Sequence, residues 1–284
     1  MAKEKSNSVL ITGASTGIGE ACALYFARRG WSVFAGVRKQ ADAKRLQDAD
    51  RHIIPLTLDV TKPRQIESAV KAIQKTVGIN GIQGLVNNAG IGIVGPLEFL
   101  PMEELRRQFE VNLFGQVAVT QAFLPLLRAG RGRIANISSI GGRVTSPIVG
   151  PYSMSKFALE AFTDGLRREL WPWKMQVSSI QAGAIATPIW KKAIHDGQKL
   201  RRNYPKKAEA LYGKVMRRVI QRGFQSDARG LSPEMVARAV WHSLTAARPL
   251  TRYIMGRGTR AAIWLSRWLP DEVVDWLMAQ ALYR

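Results

Sequence analysis

The stretch from Val9 to Ala21, VLITGASTGIGEA, decides how the rest of the chain is read. SVLIT (8–12) has the apolar run of a buried strand. Three glycines follow, Gly13, Gly17 and Gly19, and then a helical pattern, GEACALYFARRG. Gly30 stops that helix, with Arg28 and Arg29 in the last turn, where cations suit the dipole. Two chemistries use such a strand, turn and helix. Gly13-Ala14-Ser15-Thr16-Gly17 fits G-x-S-x-G, the elbow that exposes a serine nucleophile. The same glycines fit a turn that brings backbone against a phosphate at a helix N-terminus. An elbow needs several strands before it and an Asp and a His after it, whereas this turn follows the first strand. His195 lies in a basic segment and His242 in a helical pattern, and Gly19 has a role only in the nucleotide turn. Ser15 is therefore expected to hydrogen-bond the turn or a phosphate, with a serine hydrolase using Ser15 as the least favoured alternative.

Outward from this turn, strands and helices alternate. Strand patterns fall at 31–37, 52–60, 83–90, 132–139, 175–183 and, shortest, 251–256. Helical patterns run from about Met102 to Arg128 and from about Tyr152 to Leu170. Thr61 is expected to cap a helix that has Pro63 in its first turn, and Ser232 to cap one that Pro233 opens. The pattern predicts an α/β fold: a Rossmann-type doubly wound parallel sheet of about seven strands with helices on both faces. One domain is expected over 1–284, with a basic substrate-loop region at 186–230 and an amphipathic helical segment at 259–284 that Pro270 divides. Ligands of such sheets bind at the carboxyl ends of the strands. The polar or Gly-rich stretches 12–19, 87–90, 138–142 and 182–187 all fall there.

Composition narrows the function classes. Cys22 is the only cysteine of 284 residues and the three histidines are scattered, which excludes a disulfide framework and any multi-thiolate metal site; no metal ligands are expected. No apolar run reaches the ~18 residues of a membrane span. The charged start, MAKEKSNS, does not read as a signal peptide, so a cytoplasmic location is expected. The net charge is +21, and residues 191–230 hold twelve Lys/Arg against three acids. That charge suits nucleic acid, anionic membrane or an anionic ligand, or is a solvated surface.

Five motifs in order carry a resemblance. Thr12-Gly13-x3-Gly17-x-Gly19, Asn87-Asn88-Ala89-Gly90, Asn112 in VNLFG, Ser139 in NISSIGG and Tyr152-x3-Lys156 in YSMSK resemble the signatures of the classical short-chain dehydrogenase/reductases. The agreement runs from residue 8 to about 190, and the chain departs from it at Ala182-Gly183, where the family usually has Pro-Gly. We read that loss of proline as local loosening beside the nicotinamide. The resemblance implies an NAD(P)-dependent enzyme that interconverts a secondary alcohol and a ketone or aldehyde. It implies a catalytic set of Asn112, Ser139, Tyr152 and Lys156. It makes Gly13, Ser15, Thr16, Gly17, Ile18 and Gly19 cofactor-binding residues of the nucleotide turn, with Asp59 and Val60 on the adenine side. Asn88, Ala89, Gly90, Tyr152, Lys156, Gly183, Ile185 and Thr187 complete the cofactor-binding set it implies, with Lys156 on the nicotinamide ribose. It also implies a homodimer or homotetramer.

The residue types suit that chemistry. Reduction of a ketone leaves an alkoxide that needs a proton, and a free tyrosine is a weak acid for the task near neutrality. Tyr152 and Lys156 share one helical face, so the ammonium, with the positive nicotinamide, is expected to lower the phenol's pKa. Ser139 would orient the carbonyl, and Asn112 would hold a water linking Lys156 to solvent. At the end of the second strand, where an acid would select NAD(H), stand Arg38 and Lys39, so NADP(H) is expected to be preferred. VFAGVRK and GAIATPIW resemble the steroid and retinoid members of that family, which implies a bulky hydrophobic substrate such as a steroid, retinoid or long-chain carbonyl, and the aromatic tail adds independent support. The tail and the basic segment further suggest peripheral contact with an anionic membrane. The alternative class, a non-catalytic nucleotide-binding or nucleic-acid-binding protein, leaves the Ser-Tyr-Lys set without a use, and nucleic acid is not an expected partner.

Overall fold

The computed structural model describes residues 7–228 and 230–283. The charged stretch before residue 7, read above as no signal peptide, lies outside them. Seven parallel strands form one sheet in the order β3-β2-β1-β4-β5-β6-β7. They are β1 (Ser8–Ile11), β2 (Ser32–Val37), β3 (Ile53–Thr57), β4 (Gly84–Asn87), β5 (Arg133–Ser139), β6 (Val177–Ala182) and β7 (Arg252–Met255). Successive side chains of a strand face opposite layers. Thus Val9 and Ile11 enter one core with Phe26, Val236 and Val240, whereas Leu10 enters the other with Ile73, Phe123 and Leu166. Helices α1 (Gly17–Ala27) and α9 (Pro233–Thr245) cover the first face; α3 (Pro63–Val77), α5 (Gly115–Ala129) and α6 (Gly150–Glu169) cover the second. The strand order reverses between β1 and β4, and the crevice outside their carboxyl ends is where such sheets take ligands.

Several expectations need correction. A helix absent from the sequence reading, α2 (Gln40–Ala49), follows β2; it buries only Leu46, so no apolar stripe announces it. The residue capping α3 is Lys62 rather than Thr61, whose hydroxyl instead donates to Asp59 Oδ1 at 2.8 Å. Ser232 stands at the cap of α9 without a side-chain capping bond, and Pro233 does open the helix. The long helix after β4 is α4 (Met102–Phe109) and α5 joined by a π-helical turn, Glu110–Phe114. The basic segment is not a loop: α7 (Pro188–Arg202) and α8 (Lys206–Ala228) fill most of it. Finally, α10 (Thr259–Trp268) and α11 (Asp271–Tyr283) flank Pro270.

Candidate active site

The turn after β1 is held together by one hydroxyl. Thr12 Oγ1 accepts from the amides of Asn88 (2.9 Å) and Ala89 (3.0 Å). Asn88 returns its side-chain amide to the carbonyls of Thr12 and Gly13, each at 2.9 Å. Gly13 (φ 63°) and Gly17 (φ 61°) adopt the left-handed backbone that favours glycine. Gly19 serves packing: a Cβ there would stand 2.3 Å from Gly13 O and 2.4 Å from Asn88 Nδ2. This turn opens on a cleft of about 760 Å³. Ser15, Thr16, Ile18, Arg38, Asp59, Val60, Ala89, Gly90, Gly183, Ile185 and Thr187 all line the cleft, as do Ser139, Tyr152 and Lys156. Lys39, Gly19 and Asn112 are not among its lining residues. Lys39 is the exposed cap of α2, one residue beyond Arg38.

Two residues of α2 act on the turn without lining the cleft. Arg45 donates to Ser15 O at 2.6 Å and pairs with Glu20, tying α2 to the turn. The Asp42 carboxylate lies 4.0 Å from the same guanidinium. Asp59 accepts from the amide and hydroxyl of Thr61, at 3.0 and 2.8 Å. Burial works to raise the Asp59 carboxyl, but these bonds and the charges of Arg38 and Lys62 hold it below its ordinary range. Ser15 has no histidine as a base, since His52 bonds Asp50, His242 bonds Tyr253, and His195 is exposed on α7.

Tyr152 and Lys156 lie one turn apart on α6 and are both buried. Lys156 Nζ donates to Ile137 O at 2.9 Å and stands 5.8 Å from the Tyr152 ring centroid. Burial lowers the Lys156 ammonium to about 8, against an opposing pull from Glu160. Glu160, one further turn along the same face, accepts from Gln181 Nε2 (2.8 Å), Arg252 Nε (3.3 Å) and Ser179 Oγ. The i, i+4 spacing from Lys156 was its available sequence signal. Burial also pushes the Tyr152 phenol up to about 12, with Ser139 acting in the other direction. The expected lowering of this phenol by Lys156 is not found in the protein alone: burial raises the phenol, and the hydrogen bond from Ser139 is what opposes it. Ser139 Oγ accepts from Gly141 N at 3.0 Å, which leaves its own proton free to donate.

Asn112 sits in the π turn behind this cluster. Its Oδ1 accepts from Ile91 N (2.8 Å), and its Nδ2 donates to Ile91 O (2.9 Å) and Ser155 Oγ (3.0 Å). A side chain at Gly90 would come within 3.4 Å of Asn112 Oδ1 and 3.8 Å of Lys156 Nζ, so glycine keeps open the space between them. At Ala182 the expected loosening is not found. β6 remains paired with β5 and β7 through this residue, and Gly183 N donates to Met255 O at 2.7 Å.

A second cavity, of about 240 Å³, adjoins the cleft; Ser139, Gly183 and Trp190 line both. Its walls are mostly apolar and come largely from α7 and α8. Trp190, missed in the sequence reading, stands edge-on to Tyr152 with ring centroids 5.7 Å apart. The end of α11 backs this side: Leu282 and Ala281 pack with Val94, Ile148, Val215 and Met216. Among the described residues there is no cluster of side chains suited to a metal ion.

The family model described as short chain dehydrogenase matches residues 7–198. The chain belongs to the short-chain dehydrogenases and is an NAD(P)-dependent oxidoreductase of that family. It is 37% identical to an NADPH-dependent 3-dehydrocapnine reductase of Ornithobacterium rhinotracheale, over 94% of each chain. It is 36% identical to retinol dehydrogenase 5 of Mus musculus, over 97% of this chain and 89% of that protein. A short chain dehydrogenase of Burkholderia cenocepacia solved with NADP superposes with a TM-score of 0.73 at 26% identity, covering 96% of this chain and 98% of that one. A 3-ketoacyl-(acyl-carrier-protein) reductase of Brucella melitensis solved with NADH reaches 0.71 at 25% identity, covering 88% and 96%.

Proposed function

We propose that the protein is an NADP(H)-dependent oxidoreductase interconverting a bulky, apolar secondary alcohol and its ketone or aldehyde. The observation that carries this reading is the convergence of Ser139, Tyr152 and Lys156 where the nucleotide cleft meets the apolar cavity. The reduced nicotinamide, when bound, supplies the hydride. Ser139 donates to the carbonyl oxygen and orients it, an oxyanion-type role. Tyr152, with its phenol raised to about 12, is protonated at neutral pH and gives its proton to the forming alkoxide. Lys156, below its pKa of about 8 and so charged at neutrality, stabilises the resulting phenolate and holds ribose hydroxyls. Asn112 fixes the Ile91 backbone beside the gap that Gly90 leaves, where a water would link Lys156 to solvent, so that the ammonium passes a proton to the Tyr152 phenolate and takes one back from that water.

The preference for NADP(H) rests on Arg38, which lines the cleft and whose fork suits a 2′-phosphate. Lys39, turned to the cap of α2, is an auxiliary charge in this reading. Steady-state rates with both cofactors, on small ketones and on steroid, retinoid and long-chain carbonyls, test the proposal. Better kcat/KM with NADH, or with small ketones, would overturn the corresponding part. R38D should move the cofactor preference towards NAD(H) by roughly 10²-fold, about 3 kcal/mol.

No helix among the described residues is long and apolar enough to cross a membrane. Trp264, Trp268 and Trp276 on α10 and α11 are nevertheless exposed, at 59%, 66% and 59%. We propose that these faces and the basic α7–α8 pair rest peripherally on an anionic membrane from the cytoplasmic side; retention on anionic liposomes that fails at low salt would refute it. Assembly as a homodimer or homotetramer would use α6, which exposes Met154 and Phe157.

A further inference from the structure

The apolar cavity carries polar groups that no step of the reduction uses. Gln198, Arg201, Tyr204 and Arg222 line it without lining the nucleotide cleft. On α7, Trp190, Ile194, Gly197, Gln198 and Arg201 recur at helical spacing and form one stripe. At about 1.5 Å of rise per residue, Arg201 lies roughly 16 Å along the axis from Trp190, the residue that touches Tyr152. The opposing stripe of α8 is Met216, Val219, Ile220 and Gly223, with Arg222 at its edge. A reactive end, an apolar middle and a cationic far end thus lie in sequence.

The far end has charge to spare. Glu209 accepts from Arg201 Nε at 2.8 Å and from Arg217 at 2.7 Å, so one carboxylate is shared by two guanidiniums. Arg222 donates to the neutral Ala281 O at 2.7 Å, and no carboxylate among the described residues pairs with it. The Tyr204 hydroxyl is buried and has no hydrogen-bond partner among the described residues. A guanidinium fork meets carboxylate, sulfonate or phosphate oxygens bidentately.

We infer that the substrate is amphiphilic: a carbonyl at Tyr152, an apolar body along α7 and α8, and an anionic terminus held by Arg201 and Arg222 with the Tyr204 hydroxyl. This rests on the oxidoreductase reading above and names the substrate class for the same site.

The test uses the full chain with NADPH and a homologous series of long-chain keto acids, each beside its methyl ester. The acid should exceed its ester by about tenfold or more in kcat/KM at low salt, with the advantage shrinking as salt screens it. The advantage should peak at the length that spans the pocket and approach one in R201Q/R222Q. The readout is a ratio within each variant, so partial loss of folded protein does not imitate the effect. Sulfonate and phosphonate analogues of the best length separate a general anion site from a carboxylate site. Equal turnover of acid and ester in the wild type overturns this inference alone, as does an acid advantage that survives in R201Q/R222Q. Reaction of small ketones with neither long acid nor long ester overturns the bulky-substrate reading and this inference with it.

Discussion

The nucleotide cleft and the apolar cavity meet at Ser139 but are built on different principles. The cleft is made of backbone: Gly13 and Gly17 at positive φ, Gly19 in contact with Gly13 O, and Thr12 and Asn88 bonding the two βα turns together. The cavity is made largely of side-chain stripes on α7 and α8, backed by the end of α11. Backbone construction leaves almost no choice of residue, whereas a helical stripe accepts many apolar side chains of similar volume. One region is therefore suited to a constant ligand, the other to a changing one.

Four variants break or sharpen this contrast. Tyr152→Phe, at the seam between the regions, removes only the transferable proton. The expected fall in kcat is about 10³-fold or more, with NADPH affinity measured by fluorescence close to wild type. Gly19→Ala tests the backbone-built side. Its Cβ would stand 2.3 Å from a carbonyl oxygen, so overpacking should cost about 1–3 kcal/mol, lower Tm and weaken NADPH binding at least tenfold.

Lys156→Met exposes the cost of the seam. The Lys156 pKa falls from 10.5 unfolded to about 8 folded, so the unfolded chain binds more protons between those values. Wild-type stability should then rise with pH across that window, and the variant should lack the rise. Near neutrality the turnover-dead variant should be the more stable protein in denaturant melts, by about 2–3 kcal/mol. A less stable variant at pH 7 would show that the Ile137 bond outweighs desolvation. Gly197→Ala is the smallest and the direct counterpart of Gly19→Ala. Its Cβ would meet Val94 at 3.4 Å, an ordinary contact, so the gain of about 0.5–1 kcal/mol in helix propensity should appear as a higher Tm, with substrate size preference narrowed.

The same contrast explains what was legible in the sequence. Gly13, Gly17, Gly19 and the Asn87–Gly90 run stand out because few residues fit a backbone-built site. Parallel strands buried on both faces show as apolar runs, which is why β1 to β7 were found within a few residues of their ends. On the cavity side the lysines and arginines of α7 and α8 obscured the stripe they flank, and two helices were read as a loop. α2 was missed because a single buried leucine carries no period, and Arg45 was missed with it. The burial that raises Tyr152 to about 12 has no sequence signature, since it is a property of the packed fold, in which Trp190 reaches the ring from another element.

The end of α11 has a practical consequence. Leu282 packs against Met216 in the pocket wall, and Ala281 O holds Arg222. A purification tag fused just after this helix, or proteolytic trimming into it, would disturb the packing behind the apolar cavity without touching Ser139, Tyr152 or Lys156. Two preparations of the same enzyme that differ only there would rank the same set of ketones differently, and neither ranking would be an artefact of misfolding.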